Sequence, residues 1–158
     1  MLTRHLTLLL ALLSSITLGC DDVDQADASG QGGTSGGCSA PSGECFRLGW
    51  AVSGALVTAE VIEAEPSSPL KGSNAWTVAL TSDAGEALTG CAIHLVPFMP
   101  DHGHGSNEVD SVELESTPGH YALEGFELSM PGYWELNAEV TCPTLEPDEL
   151  TFDLWLES

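Results

Sequence analysis

Trp134, Leu136, Ala138, Val140 and Cys142 alternate strictly with Glu135, Asn137, Glu139 and Thr141. That period suits a strand with one dry and one wet face, because successive strand side chains point to opposite sides. The same alternation recurs from Ala55 onward, interrupted by turn residues at a spacing of about ten. Val57, Ala59 and Val61 form one apolar row, Trp76, Val78 and Leu80 a second, and Cys91, Ile93 and Leu95 a third. Val112 with Leu114, Tyr121 with Leu123, and Phe152 with Leu154 and Leu156 supply three more. Residues 66–74 are rich in Pro, Ser and Gly, and Asp83-Ala-Gly-Glu86 reads as a turn. Seven short strands without a convincing helix predict an all-β chain folded as a β-sandwich. Polar residues on the alternate face predict that each sheet keeps one side in water.

The first residues point to export. Arg4 provides a positive start, and residues 6–18 form an apolar run too short to span a bilayer. The run closes on Thr17-Leu18-Gly19-Cys20, which is similar to a lipobox, where the cysteine is acylated and becomes the new N-terminus. The expected organisation is a lipoprotein signal peptide at 1–19, an acidic and Gly/Ser-rich tether at 20–44, and a β-sandwich domain at 45–158. An acylated Cys20 places the chain in a bacterial cell envelope, membrane-anchored and facing the periplasm or exterior, with the lipid bilayer as one partner. Two acyl chains on one residue make a stable anchor where a single chain does not. The tether carries a formal Gly-x-Ser-x-Gly match, Gly33-Thr-Ser35-Gly-Gly37. That motif acts only on a tight strand-to-helix turn. Here it is chance.

Loss of Arg4 with the signal takes the formal charge from −21 to −22. Only Arg47 and Lys71 then oppose 24 acidic residues, so nothing can neutralise a phosphate backbone and nucleic acid is excluded as a partner. The same field favours cations and solubility.

With Cys20 assigned to lipid, Cys38, Cys45, Cys91 and Cys142 remain in an oxidising compartment, where three pairings are possible. Cys38–Cys45 and Cys91–Cys142 are favoured. The first two flank one Pro/Gly-containing loop, and the last two share parity with core residues on candidate strands.

Two segments carry chemistry. Met99-Pro-Asp-His-Gly-His-Gly105 concentrates two imidazoles and a thioether, and Met130-Pro-Gly-Tyr-Trp134 repeats the Met-Pro start. Pro100, Gly103 and Gly105 predict a loop that keeps both histidines out of a regular ladder. One glycine separates His102 from His104, so both rings can converge on one ion. Met99, Met130 and His120 are the candidate further donors, and Asp101 can hold a ring tautomer. A His/Met mixture outside the cytosol suits a copper ion better than zinc. The competing explanation is structural: Asp101 and His102 hydrogen-bond the backbone and hold the turn. Structural roles are also expected for Pro131-Gly132 in a turn, Trp134 as a plug between sheets, Tyr121 at a corner and His94 half-exposed in mid-strand.

The order Gly72…Asn74-x-Trp76, Met99-Pro-Asp-His-Gly-His-Gly105, Gly119-x-Tyr121 and Met130-Pro-Gly-x-Trp134 resembles the YtkA-like domain, a relative of the FixH family, over residues 55–157. The resemblance implies a small immunoglobulin-like β-sandwich on the outer side of a bacterial membrane. By analogy with FixH-type proteins, associated with assembly of copper-containing oxidases, it implies metal handling. Two functions remain: a lipid-anchored domain handling copper through its His/Met loop, and a non-catalytic structural or interaction domain meeting an envelope protein. An enzyme ranks last. The sequence offers no nucleophile–base pair outside the tether, no phosphate loop and no complete ligand set.

Overall fold

The structure, a computed structural model, describes residues 38–158. Cys20, the signal peptide and residues 20–37 of the tether lie outside the described residues. Eleven strands follow one another: β1 (Glu44–Cys45), β2 (Trp50–Ser53), β3 (Val57–Glu65), β4 (Gly72–Ser82), β5 (Ala92–Met99), β6 (His104–Gly105), β7 (Val109–Asp110), β8 (Val112–Glu113), β9 (His120–Leu128), β10 (Gly132–Thr141) and β11 (Asp148–Leu156). One sheet runs β1-β11-β10-β5-β6, with β7 also on the outer edge of β5. The other runs β2-β3-β4-β9-β8. Their apolar faces meet as an immunoglobulin-like sandwich.

The alternation read from sequence is what closes this core. Leu136, Ala138 and Val140 face inward from β10, opposite Phe152, Leu150 and their neighbours on β11. At the centre Trp76 meets Phe126 edge-on at 5.3 Å and Phe152 at 5.5 Å, and Trp50 meets Phe152 at 5.2 Å. Such pairs add about 0.5–1.5 kcal/mol each beyond the area they bury. Trp76 Nε1 has no hydrogen-bond partner among the described residues, so that indole is held by packing alone.

Four elements were not expected. β2 is an edge strand whose alternation is only four residues long, and β1 is a two-residue parallel pairing with β11 at Leu154 and Trp155. β6 and β7 line the free edge of β5. β6 corrects the expectation that both loop histidines stand outside any ladder. His104 pairs with Met99 and Gly105 with Phe98, so only residues 100–103 form the turn, with Gly103 at φ 66°. The hairpin closes this tightly because a Cβ at Gly105 would lie 3.0 Å from the Pro97 carbonyl oxygen, and glycine has none.

Both favoured disulfides are present. Cys38–Cys45 ties the incoming chain to β1. Cys91 and Cys142 sit just before β5 and just after β10, next to the Ala92–Thr141 pair, with Cα atoms 4.1 Å apart. This bridge joins neighbours in one sheet, unlike the bond between sheets that marks antibody domains. Tyr121 seals the same end: its hydroxyl donates to the Leu88 carbonyl at 2.9 Å and accepts the Cys91 N–H at 3.0 Å. Burial and the Glu113 carboxylate push its phenol above the usual range, despite the opposing Cys91 N–H.

Asp148, at the start of β11, locks the two sheets together there. Its carboxylate accepts the N–H groups of Ala55, Leu56 and Val57 in the β2–β3 connection, at 3.0, 2.8 and 2.9 Å, and that of Glu149. A Cβ at Gly54 would collide with this carboxylate, so the close approach depends on glycine. Burial alone would raise the Asp148 pKa, but four N–H donors more than offset it and hold the group below its ordinary value.

Candidate functional site

The sandwich has two ends. β5 ends, β10 begins and β11 ends at one of them, and this end collects most of the ligand-type side chains. Pro100 opens the turn, and the His102 and Gly103 N–H groups return to the Met99 carbonyl at 3.2 and 2.9 Å. The two imidazoles are thereby presented side by side, ring centroids 5.9 Å apart. His102 is exposed and His104 half-buried. The His104 ring also stands edge-on to Trp134 at 6.0 Å. Trp134 is fully buried and plugs the sandwich as expected, its indole N–H donating to the Met130 carbonyl at 3.0 Å. That bond fixes the turn bearing Met130 beside the His104 ring.

His104 Nδ1 lies 3.2 Å from the Gly105 carbonyl oxygen. A carbonyl can only accept, so Nδ1 is the donor, and in the neutral ring the lone pair is then on Nε2. Fixing one ring nitrogen on a carbonyl is how proteins prepare the other for a metal. Met130 is half-buried and packs against the core margin. The two imidazoles are therefore brought together, and Trp134 links the His104 ring to the backbone of the Met130 turn.

The other two candidates are not. Met99 points inward and is only 1% exposed, its Cε occupying the space over Gly132, where an added Cβ would come within 2.5 Å of it. It is a core residue. His120 begins β9 beside Ala79, at the end of the sandwich that holds Tyr121 and the Cys91–Cys142 bridge. Eight residue steps along β9 take the chain from it to Leu128 near the Met130 turn, about 26 Å at the rise of a strand. It does not reach the loop histidines. Among the described residues, no group of three or more His, Cys, Asp or Glu side chains is placed to hold a metal ion. The donors brought together are two imidazoles, a pair that suits a soft ion of low coordination number and is poor for zinc or calcium.

His94 is half-exposed as expected, but with partners the sequence did not suggest. Its Nδ1 meets Asp110 at 2.8 Å and its Nε2 meets Glu108 at 3.3 Å, so the ring fastens β7 to the edge of β5. The Asp110 hydrogen bond and the two acidic charges raise its pKa above the ordinary imidazole value, against a smaller effect of burial.

A sandwich of two sheets with a disulfide at each end defines a small immunoglobulin-like module. A family model described as YtkA-like matches residues 54–139, which hold the Asn74–Trp76 motif, the histidine turn, Gly119-x-Tyr121 and the Met130–Trp134 segment. The chain belongs to the YtkA-like family. No curated protein and no solved structure matches it.

Proposed function

We propose that this chain is a non-catalytic envelope module, held at a bacterial membrane by acylated Cys20, that takes up a copper ion at its histidine pole. The observation carrying this reading is the state of His104: its Nδ1 proton is committed to the Gly105 carbonyl, leaving Nε2 open beside the His102 ring. His102 and His104 supply nitrogen, and Met130 on the adjacent turn supplies sulfur. Copper is cargo here, and the protein's part is to hold the rings in one orientation. The acidic surface raises the local concentration of cations. Anchoring rests on the apolar run that closes on Leu18-Gly19-Cys20.

Equilibrium dialysis against copper(I) should return one equivalent per chain. His104→Ala should remove it, and His120→Ala, at the other end of the sandwich, should leave it unchanged. Binding that survives His104→Ala, or that His120→Ala removes equally, contradicts the assignment. Uptake should also fall on acidification, because imidazole binds only when neutral. For the anchor, Cys20→Ser should move the protein from the detergent phase to the aqueous phase. Equal partitioning of the two forms refutes acylation.

A further inference from the structure

Arg47 and Lys71 are the only basic residues beyond the signal segment, and 24 residues of sequence separate them. The fold brings both to one groove of about 970 Å³, which also holds Phe46, Leu48, Leu70 and Trp155. Leu48 and Leu70 are 55% and 59% exposed, two of the three large apolar side chains that stand out in solvent among the described residues. A chain with two cations and few exposed large hydrophobes has placed both cations and two of those hydrophobes together.

The groove is built rather than incidental. Asn74, buried at the start of β4, accepts the Leu70 N–H at 2.9 Å and donates to the Leu70 and Gly72 carbonyls, both at 2.8 Å. This clamp fixes the backbone on either side of Lys71. On the other side the Cys38–Cys45 bridge and the pairing of Cys45 with Trp155 fix the residues around Arg47. Lys71 has no carboxylate within ion-pair distance among the described residues. Arg47 meets Glu44 at 2.6 Å, but both side chains are more than half exposed, and a pair of that kind contributes about 0–1 kcal/mol and exchanges readily. Glu157 also lines the groove, one acidic side chain against the two cations.

We propose that this groove binds an anionic amphiphile, with the head group between Arg47 and Lys71 and the alkyl chain along Leu48, Leu70, Phe46 and Trp155. The volume falls within the usual range of small-molecule sites, roughly 300–1,000 Å³. The charge pattern selects the ligand's sign: the acidic remainder of the surface repels an anion everywhere else. The apolar residues call for a tail, since an inorganic anion would leave them in water. This reading is independent of copper uptake. The same chemistry belongs to a free fatty acid or alkyl phosphate and to an anionic phospholipid within a bilayer.

Trp155 provides the readout, because it is half-buried in the groove whereas Trp50, Trp76 and Trp134 are buried in the core. The full chain carrying Cys20→Ser is titrated with monomeric bromododecyl phosphate, whose bromine quenches indole emission. Quenching should be saturable, should vanish in Trp155→Phe, and should need at least tenfold more ligand in Arg47→Gln/Lys71→Gln. Bromododecyl maltoside, with the same tail and no charge, should quench at least tenfold more weakly. Equal half-saturation of the charged and neutral ligands, or of the parent and the double variant, overturns the proposal. Pelleting with phosphatidylglycerol vesicles, lost in the double variant and absent with phosphatidylcholine, assigns the ligand to the bilayer. Saturable, charge-dependent quenching without pelleting assigns it to a free amphiphile. Absence of both quenching and pelleting overturns the proposal.

Discussion

The two ends of this sandwich use polar residues in opposite ways. At the end defined by Cys91–Cys142, Tyr121 and Asp148, polar side chains are spent on backbone groups of neighbouring elements. At the end defined by His102, His104 and Met130, the polar side chains bond backbone groups close by in sequence, and the Lys71 ammonium has no carboxylate partner among the described residues. One end is closed by hydrogen bonds that span many residues of sequence. The other rests on short-range devices, a four-residue turn, the Asn74 clamp and the Cys38–Cys45 bridge, around a core that already surrounds Met99 and Trp134. Loops on a rigid frame can change chemistry without unfolding it. The comparison implies that substitutions at the closed end cost stability and those at the open end cost binding.

The largest effect expected is at the bridge. Cys91→Ala/Cys142→Ala opens a loop of 51 residues, for which the chain-entropy estimate is about 4 kcal/mol. Urea unfolding should show that loss. A drop below about 1 kcal/mol would mean that the closed end is not held by its cross-link.

Asp148 comes next. Asp148→Ala leaves three N–H groups of the β2–β3 connection without their acceptor and should cost about 2–3 kcal/mol in the same assay. The group's pKa in the folded state is depressed, so its contribution is complete above the unfolded carboxyl value and disappears as pH falls through the folded one. Acid unfolding of the parent should therefore be steeper below about pH 4 than that of Asp148→Ala. Parallel curves would show that the N–H cradle contributes nothing.

Tyr121→Phe should cost less, about 1–2 kcal/mol, because one N–H and one carbonyl lose their partner while the ring stays packed.

His94 gives the smallest effect on stability and one of the opposite pH sign. Its folded pKa is raised, so the stability it adds is present below the unfolded imidazole value of about 6.5 and is lost as pH rises through the folded value. His94→Gln should lower the melting temperature at pH 5.5 and leave it unchanged at pH 8.5, about one unit below and two above the unfolded value. Amide exchange at Val109 and Asp110 should speed up in step. A difference that persists at the higher pH would place the role of His94 in packing rather than charge.

Period-two alternation made most of the core legible, because inward parity on β3, β4, β5, β10 and β11 needs no knowledge of topology. The Cys91–Cys142 pairing was legible for the same reason, and Cys38–Cys45 from the short Pro/Gly-containing loop between the two residues. Met99 was also legible: it shares the parity of Ile93 and Leu95, and that parity, not its ligand-type sulfur, decides its place. His120 was not readable, since a strand start can fall at either end of a sandwich and parity says nothing about which. Asp148 carried only a faint signal, an acid between Pro147 and an apolar alternation. Its partners lie more than ninety residues away in sequence. Arg47 and Lys71 meet only because β1 pairs with the last strand and the β3–β4 connection folds over the same end. No local pattern encodes that.

The division between ends is tested most directly by urea unfolding of the parent and of His102→Ala/His104→Ala, each with and without copper(I). Without copper the two stabilities should differ by no more than about 0.5–1.5 kcal/mol, the worth of the edge-on His104–Trp134 contact. At copper a hundredfold above its dissociation constant the parent should gain about 2.7 kcal/mol and the double variant nothing. A variant that is already unstable without copper would make the histidines part of the frame. A variant that gains as much as the parent would place the copper elsewhere. Either result contradicts the account.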